Sequence, residues 1–242
     1  MPLFASLTYQ ELNRLDREET LVVLPTGCTE QQGPHLAVGF DTWFVQELCE
    51  EVGRRLARLG VTALIMPTTP YGPTPEHRSY GGYVNLEQAT FERLLADALE
   101  SLIEQGFMRF VIWRGCGGHR LDHWARRFEE AHKGIARVWV PPHPYNEVWQ
   151  EVASEAVPGG HADSFTTSVA LYKHPECVRL DRVPPPSEGT PDFDDPNADW
   201  RLVSDSGVVG DATRASPELG KRLWNRTVER VTAILAALVA NG

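Results

Sequence analysis

The sequence predicts a three-layer α/β/α fold with a mostly parallel central sheet, and three observations predict it. Short, β-branched apolar runs recur along the chain, too uniformly apolar for a strand with one wet face. Each is followed by a loop and then by apolar residues at helical spacing. The loops between them have about the length that strand-to-helix crossovers use.

The first run, TLVVLP at 20–25, reads as a buried strand breaking into the loop TGCTEQQGPH. The segment FDTWFVQELCEEVGRRLARLG follows as a helix, with Phe44, Leu48, Val52, Leu56 and Leu59 on one face. Asp41 or Thr42 is its expected N-cap and Gly60 its stop. VTALIMP is then a strand, LEQATFERLLADALESLIEQG a helix closed by Gly106, and MRFVIWR another buried strand. RLDHWARRFEEAHKG is a helix and ARVWVPP a strand. Beyond residue 160, TTSVALYK reads as a short helix, and residues 184–199, rich in Pro and Asp, read as a surface excursion. The tail SPELGKRLWNRTVERVTAILAALVA reads as a long amphipathic helix with Ser216 at N-cap and Pro217 at N1.

Composition bounds the function. The 242 residues are enough for one sizeable core, so a single domain over 1–242 is expected. A formal net charge of −10, with basic residues scattered as singles and pairs, argues against nucleic acid as a partner. No apolar run is long enough to span a bilayer, and the N-terminal stretch lacks the pattern of a signal peptide, so a cytoplasmic location with no membrane partner is expected. Cys28, Cys49, Cys116 and Cys177 lie far apart without a CxxC pair, which suggests neither a disulfide framework nor a cysteine zinc knuckle.

In open parallel sheets, ligands bind beyond the carboxyl ends of the strands, which directs attention to segments 28–41, 71–83, 114–123 and 158–167. The first packs Glu30, Gln32, His35 and Asp41 into one loop. The plainer alternative is that Asp41 caps the helix, Glu30 is solvated and His35 bonds backbone. The third places Cys116 between glycines, with His119 and His123 spaced i, i+4 for a common ligand; its alternative is a glycine-rich connector carrying two partly exposed histidines. Among the tryptophans, Trp113, Trp124, Trp139, Trp149 and Trp200 are stacking surfaces for a flat substrate, although Trp113 and Trp139 sit in predicted strands and read more plainly as core or subunit-contact residues.

Taken together, these loops resemble the creatininase (creatinine amidohydrolase) family. TGCTEQQGPHLAVGFD is similar to its G-S-x-E-Q-H-G-P-H-L-P-x-x-x-D signature, YGPTPEHRSYGGYVNL to Y-G-x-S-x-E-H-x-x-F-P-G-T-x-x-L, and RGCGGH to N-G-H-G-G-N. GGHADSFTTSVAL resembles H-A-G-E-x-E-T-S-x-x-L, and SGVVGDATRASPELGKRL resembles S-G-V-x-G-D-P-x-x-A-T-x-E-K-G. The blocks occur in the family's order from about Thr20 to the terminal helix.

The resemblance implies an α/β/α layered protein, often hexameric, that hydrolyses amide C–N bonds with two divalent metals. In that pattern one metal takes the signature Glu, the Asp and the N-G-H histidine. The other takes the E-Q-H histidine, shares the Asp and uses a further Glu, while a histidine of H-A-G moves the proton. Carried over, Glu30, Asp41 and His161 are retained, and Glu76 and His77 match the E-H pair as candidate pocket residues alongside His35, Gln32 and His119. The alternative for Glu76 and His77 is that they steady their own loop through backbone bonds. The E-Q-H histidine is Gln32, the N-G-H histidine is Cys116, and the two glutamates of H-A-G-E-x-E fall on Ser164 and Thr166. Where some members draw the second-metal carboxylate from the N-G-H loop, this chain has Gly118.

Glutamine and threonine bind divalent ions weakly, so the second site is expected to be empty, while Glu30, Asp41 and Cys116 remain an acceptable set for one Zn²⁺. Three readings follow. In the first, one zinc at Glu30, Asp41 and Cys116 acidifies water and His161 serves the leaving nitrogen of a small, possibly cyclic, amide. In the second there is no metal, Cys116 is the nucleophile, His119 or His161 is its base, and glycine N–H groups are oxyanion donors. The third is a non-catalytic ligand-binding or scaffolding paralogue.

Overall fold

The computed structural model describes residues 3–153, 160–193, 195 and 197–241. A one-turn helix α1 (Tyr9–Leu12), closed by a capping box between Thr8 and Glu11, leads to strand β1 (Leu21–Thr26), all of whose residues are buried. β1 is followed by helix α2 (Phe40–Arg58), strand β2 (Ala63–Ile65), helix α3 (Gln88–Glu104), strand β3 (Arg109–Arg114), helix α4 (Asp122–Ala131) and strand β4 (Arg137–Trp139). Helices α5 (Tyr145–Ala153), α6 (Ser164–Lys173) and α7 (Pro217–Asn241) complete the described chain.

The four strands pair in parallel in the order β2-β1-β3-β4. Their two-residue alternation explains why both faces had to be apolar. Leu21 and Val23 of β1, with Val111 and Trp113 of β3, pack on one side against Phe44 and Leu48 of α2 and Trp224 and Val228 of α7. Val22, Leu24, Phe110 and Ile112 pack on the other against Phe91, Leu95 and Leu99 of α3 and Trp124 and Phe128 of α4. The sheet thus lies between two helical layers, as the alternating pattern predicts.

The structure departs from the sequence reading in four places. β2 and β4 are three residues each, shorter than the apolar runs that predicted them. Asp41 and Thr42 do not cap α2: Gly39 precedes the helix without a side-chain cap, and Asp41 lies buried in the first turn. Helix α5 was not predicted, although Tyr145, Val148, Trp149 and Val152 carry helical spacing. Residues 184–199 form no helix or strand where described, but Thr190 and Phe193 line the cavity described below, so this stretch is part of its wall. Asp194 and Pro196 of that excursion, and Pro158 and Gly159 of the fourth predicted loop, lie outside the described residues. Ser216 does cap α7, its hydroxyl accepting the Leu219 N–H at 3.1 Å. Among the described residues no helix is long and apolar enough to cross a membrane.

Candidate active site

The carboxyl ends of β1 and β3 open into a cavity of about 620 Å³, the concave site that an open parallel sheet offers. Two glycines draw its floor together. A Cβ on Gly27 would meet the Thr42 backbone at 2.5 Å, and one on Gly115 would meet the Asp41 carbonyl at 2.7 Å. Only glycine lets both strand-end loops press against the first turn of α2. The Thr42 hydroxyl then donates to the Cys28 carbonyl at 2.9 Å, and the Gly115 N–H to the Thr26 carbonyl at 2.6 Å.

Glu30 sits at the junction of this floor with a wall of imidazoles and is 1% exposed. Thr74 donates its hydroxyl to Glu30 Oε2 at 2.6 Å, His77 Nε2 lies 3.5 Å from Oε1, and His161 Nδ1 lies 3.7 Å from the same oxygen. Cys116 Sγ approaches both oxygens, at 3.9 and 4.0 Å. Burial alone would push the Glu30 carboxyl up, but His77, His161 and Thr74 outweigh it and hold Glu30 below the ordinary carboxylate range. Asp41 goes the other way, raised well above its usual value by burial and by the neighbouring Glu30 charge. Between the two carboxyls, a proton therefore favours Asp41 over Glu30.

Gln31 sets the tautomers of both imidazoles. Its side-chain carbonyl accepts the Gly33 N–H at 2.8 Å, which fixes which end is the amide nitrogen. That nitrogen donates to the Gly207 carbonyl and to His77 Nδ1, each at 3.0 Å. His77 therefore carries its proton on Nε2, facing Glu30. The Gln31 backbone carbonyl takes the Nε2 proton of His161 at 2.7 Å, so the lone pair of His161 is on Nδ1, toward the cavity. Burial, followed by the proximity of His77, lowers His161 to about 4. The ring is therefore neutral at pH 7, with its Nδ1 lone pair facing the cavity.

His161 is aimed by its backbone. It pairs with Val209 through two 2.9 Å hydrogen bonds, and Asp163 caps α6 by accepting from the Phe165 and Thr166 N–H groups at 3.0 and 3.1 Å. Between them Ala162 is held at φ 54°, in the left-handed region.

The predicted residues divide clearly. Glu30, Gln32, Asp41, Glu76, His77, Cys116 and His161 all line the cavity. His35 does not: its Nε2 bonds the Thr167 hydroxyl at 2.8 Å, tying the loop after β1 to α6. His119 does not either; it is fully buried beneath the floor, with Nδ1 3.0 Å from Thr26 Oγ1 and Nε2 3.0 Å from Cys28 Sγ. His123 is exposed, so the two histidines face no common ligand, because His119 precedes α4 and only His123 lies on it. Of the tryptophans, Trp149 and Trp200 line the cavity, whereas Trp113 and Trp124 are core residues and Trp139 packs beside the core.

Sequence reasoning missed Cys28 and Gln31. The sequence carries only a partial signal for Cys28, the same Gly-Cys dipeptide after both strands; the structure adds that Thr26 pairs with Arg114 in the parallel ladder. Two thiols therefore leave neighbouring strand ends at the same level.

A family model described as creatininase, creatinine amidohydrolase, matches residues 5–235. The chain belongs to the creatininase family. It is 28% identical over 214 residues to a mycofactocin precursor peptide peptidase of Mycolicibacterium smegmatis, covering 86% of this chain and 81% of that protein. It is 27% identical over 250 residues to the creatinine amidohydrolase of Pseudomonas putida, covering 93% and 92%. A crystal structure of creatinine amidohydrolase superposes with a TM-score of 0.83 at 24% identity, over 97% of this chain and 96% of that one, which shows the common fold. Other creatininase structures of the same fold are described as Zn–Zn and Mn forms.

The creatininase-family pair of metals fits this chain only in part. The Gln32 amide nitrogen, not its carbonyl, faces Asp41 Oδ2 at 3.2 Å, and Ser164 spends its hydroxyl on the Asp211 carbonyl. With Thr166 as the remaining position, the family's second-ion positions lack donors here, although Glu30, His77 and His161 also bring one donor atom each within 4.8 Å of the others. His77 offers no lone pair there, because Gln31 keeps its proton on the atom that would have to ligate. Cys28, Glu30, Asp41 and Cys116, in contrast, place one donor atom each within 4.8 Å of all the others. One ion fits there.

Proposed function

We propose that this chain is a creatininase-family amidohydrolase that cleaves the C–N bond of a small, possibly cyclic, amide using one divalent metal, with Glu30, Asp41 and Cys116 as ligands. The observation that carries the reading is the position of Glu30, which faces the donor set through Cys116 and the His161 lone pair at 3.7 Å. When bound, such an ion supplies Lewis acidity, polarising an amide carbonyl and lowering the pKa of water.

The remaining roles belong to the protein. His161 takes a proton from the attacking water on Nδ1 and returns it to the leaving nitrogen, the order that a neutral imidazole requires. Glu30, beside it, steadies the charged ring between the two transfers. Trp149, Trp200, Phe193 and Tyr145 line the cavity, exclude water and hold a flat substrate against the floor.

A metal-free cysteine mechanism finds less support. The Cys28 hydrogen bond lowers the Cys116 thiol, but burial and the charges of Glu30, Asp41 and Glu76 outweigh it and leave the thiol at about 12. Besides Cys28, the polar partners of Cys116 are Glu30 and the Gly118 N–H, while His119, whose nitrogen lies within 4.8 Å of the thiol, is engaged with Cys28.

The test is metal analysis of protein purified without chelator, joined to hydrolysis assays on lactams, formamides and short peptides. About one zinc per chain is expected. Glu30→Gln should lose the ion and cost more activity than the roughly 100-fold typical of residues behind the ligands. Zinc well below one equivalent and unchanged by Cys116→Ala would remove the mechanism. Binding of amides without turnover in the zinc-loaded protein would make it a non-catalytic paralogue.

A further inference from the structure

Directly behind the cavity floor lies a thiol for which the one-ion mechanism has no role. Cys28 is buried beside Cys116, Glu30 and Asp41, and the four donor atoms converge from three segments: the loop after β1, the first turn of α2 and the loop after β3. Convergence of the two thiols is a consequence of strand register, since the Thr26–Arg114 pair places Gly27-Cys28 and Gly115-Cys116 side by side. A tetrahedral zinc shell with Zn–S near 2.3 Å has donor-to-donor edges of about 3.8 Å. With Zn–O near 2.0–2.2 Å the oxygen edges are shorter, down to about 3.3 Å, so the observed limit of 4.8 Å is met by a contraction of no more than about 1.5 Å.

We propose that Cys28 is itself a metal ligand, so that the ion is held by two thiolates together with the carboxylates of Asp41 and Glu30. This rests on the one-ion reading above and goes beyond it in donor set and in choice of metal. A second observation points to a missing group at the same wall: the Gln32 side chain is 2% exposed, its amide nitrogen is bonded to Asp41, and its carbonyl oxygen has no partner. A water carried in with the ion, outside the four protein donors, would supply the hydrogen bond that oxygen lacks.

His119 fits the same assignment. Thr26 Oγ1 and Cys28 Sγ occupy its two ring nitrogens, so a neutral ring accepting from Thr26 presents Nε2–H to the sulfur and stabilises it as thiolate. The position that the resemblance made a substrate contact thus becomes a support for a ligand. Glu30 differs from the other three ligands, since Thr74 already bonds one of its oxygens and the two imidazoles flank the other. It is the ligand able to give way when a substrate carbonyl arrives. Two thiolates also select zinc-class ions over manganese and magnesium, which prefer all-oxygen shells.

The test counts sulfur atoms on the metal. X-ray absorption at the zinc edge of the wild-type protein should give two sulfur neighbours at about 2.3 Å and oxygen neighbours at about 2.0–2.2 Å. In cobalt-substituted protein, the near-ultraviolet sulfur-to-metal charge-transfer band should fall to about half in Cys28→Ser, to about half in Cys116→Ser, and vanish in the double variant, one step per thiolate. A single sulfur neighbour in the wild type, or an undiminished band in Cys28→Ser, overturns the proposal while leaving the one-ion reading in place. A wild-type protein that binds neither zinc nor cobalt overturns both. The wild-type measurement decides even if a variant fails to fold.

Discussion

The two walls that meet at Glu30 are built on opposite principles. On one side Cys28, Asp41 and Cys116 are brought together by strand register and two glycines, and few hydrogen bonds fix their protons. On the other side His77 and His161 stack with ring centroids 4.6 Å apart, and every proton has a specified place because Gln31 holds both rings. The first arrangement suits holding a cation, which replaces protons. The second suits moving one proton along a fixed route. In the proposed function, this difference keeps cation binding and proton transfer apart within a few ångströms.

Three changes test that division, and the largest expected effect comes from His161. His161→Asn should lower kcat by about 10²–10⁴-fold, the range for loss of a positioned acid–base group, while metal content stays at the wild-type level. A parallel loss of metal would mean that the two walls are not separate.

Gln31→Met removes the side-chain amide that orders His77, without touching either ring, and keeps the backbone carbonyl that holds His161. An activity loss of about 10–100-fold is expected, as for residues that orient a reacting group. Nitrogen NMR of the histidine side chains should show His77 no longer confined to the Nε2–H form. An unchanged His77 tautomer would show that Gln31 does not set it.

The smallest effect is a control outside both walls. Burial lowers His174, but its hydrogen bonds to Glu47 and Glu176, at 2.6 and 3.1 Å, outweigh burial and raise it, opposite to His161. A raised value means that the folded state binds the proton more tightly. Its stabilisation is full below the unfolded histidine value of about 6.5 and is lost as pH rises through the folded value. The thermal midpoints of wild type and His174→Gln should therefore differ most below the unfolded histidine value of about 6.5 and converge as pH rises well above it. A gap that widens with pH would reverse the assignment.

Much of this was legible in the sequence, for physical reasons that differ by element. β1 and β3 were legible because central strands buried on both faces must be apolar throughout. The ends of α7 and most helix spans followed from spacing and capping. Only the N-cap reading of Asp41 failed, because an acidic residue at a helix start is ordinarily a cap, whereas its packing against Gly115 turns it into the floor. Cys28 was passed over because pairing across adjacent strands is invisible to a reading that scans for near neighbours. Gln31 has no local signature, since its importance lies in contacts with Gly207, His77 and His161, all distant in the chain.

Ala162 carries a consequence for how such a protein diversifies. A non-glycine residue in the left-handed region costs about 1–2 kcal/mol, and here the Val209 bridge and the Asp163 cap hold it there. The direction of the neighbouring imidazole is thus inherited from the main chain instead of from whatever occupies the rest of the cavity. Aromatic residues at the mouth can be exchanged for others, and the range of accepted molecules can drift, while the proton carrier keeps its aim.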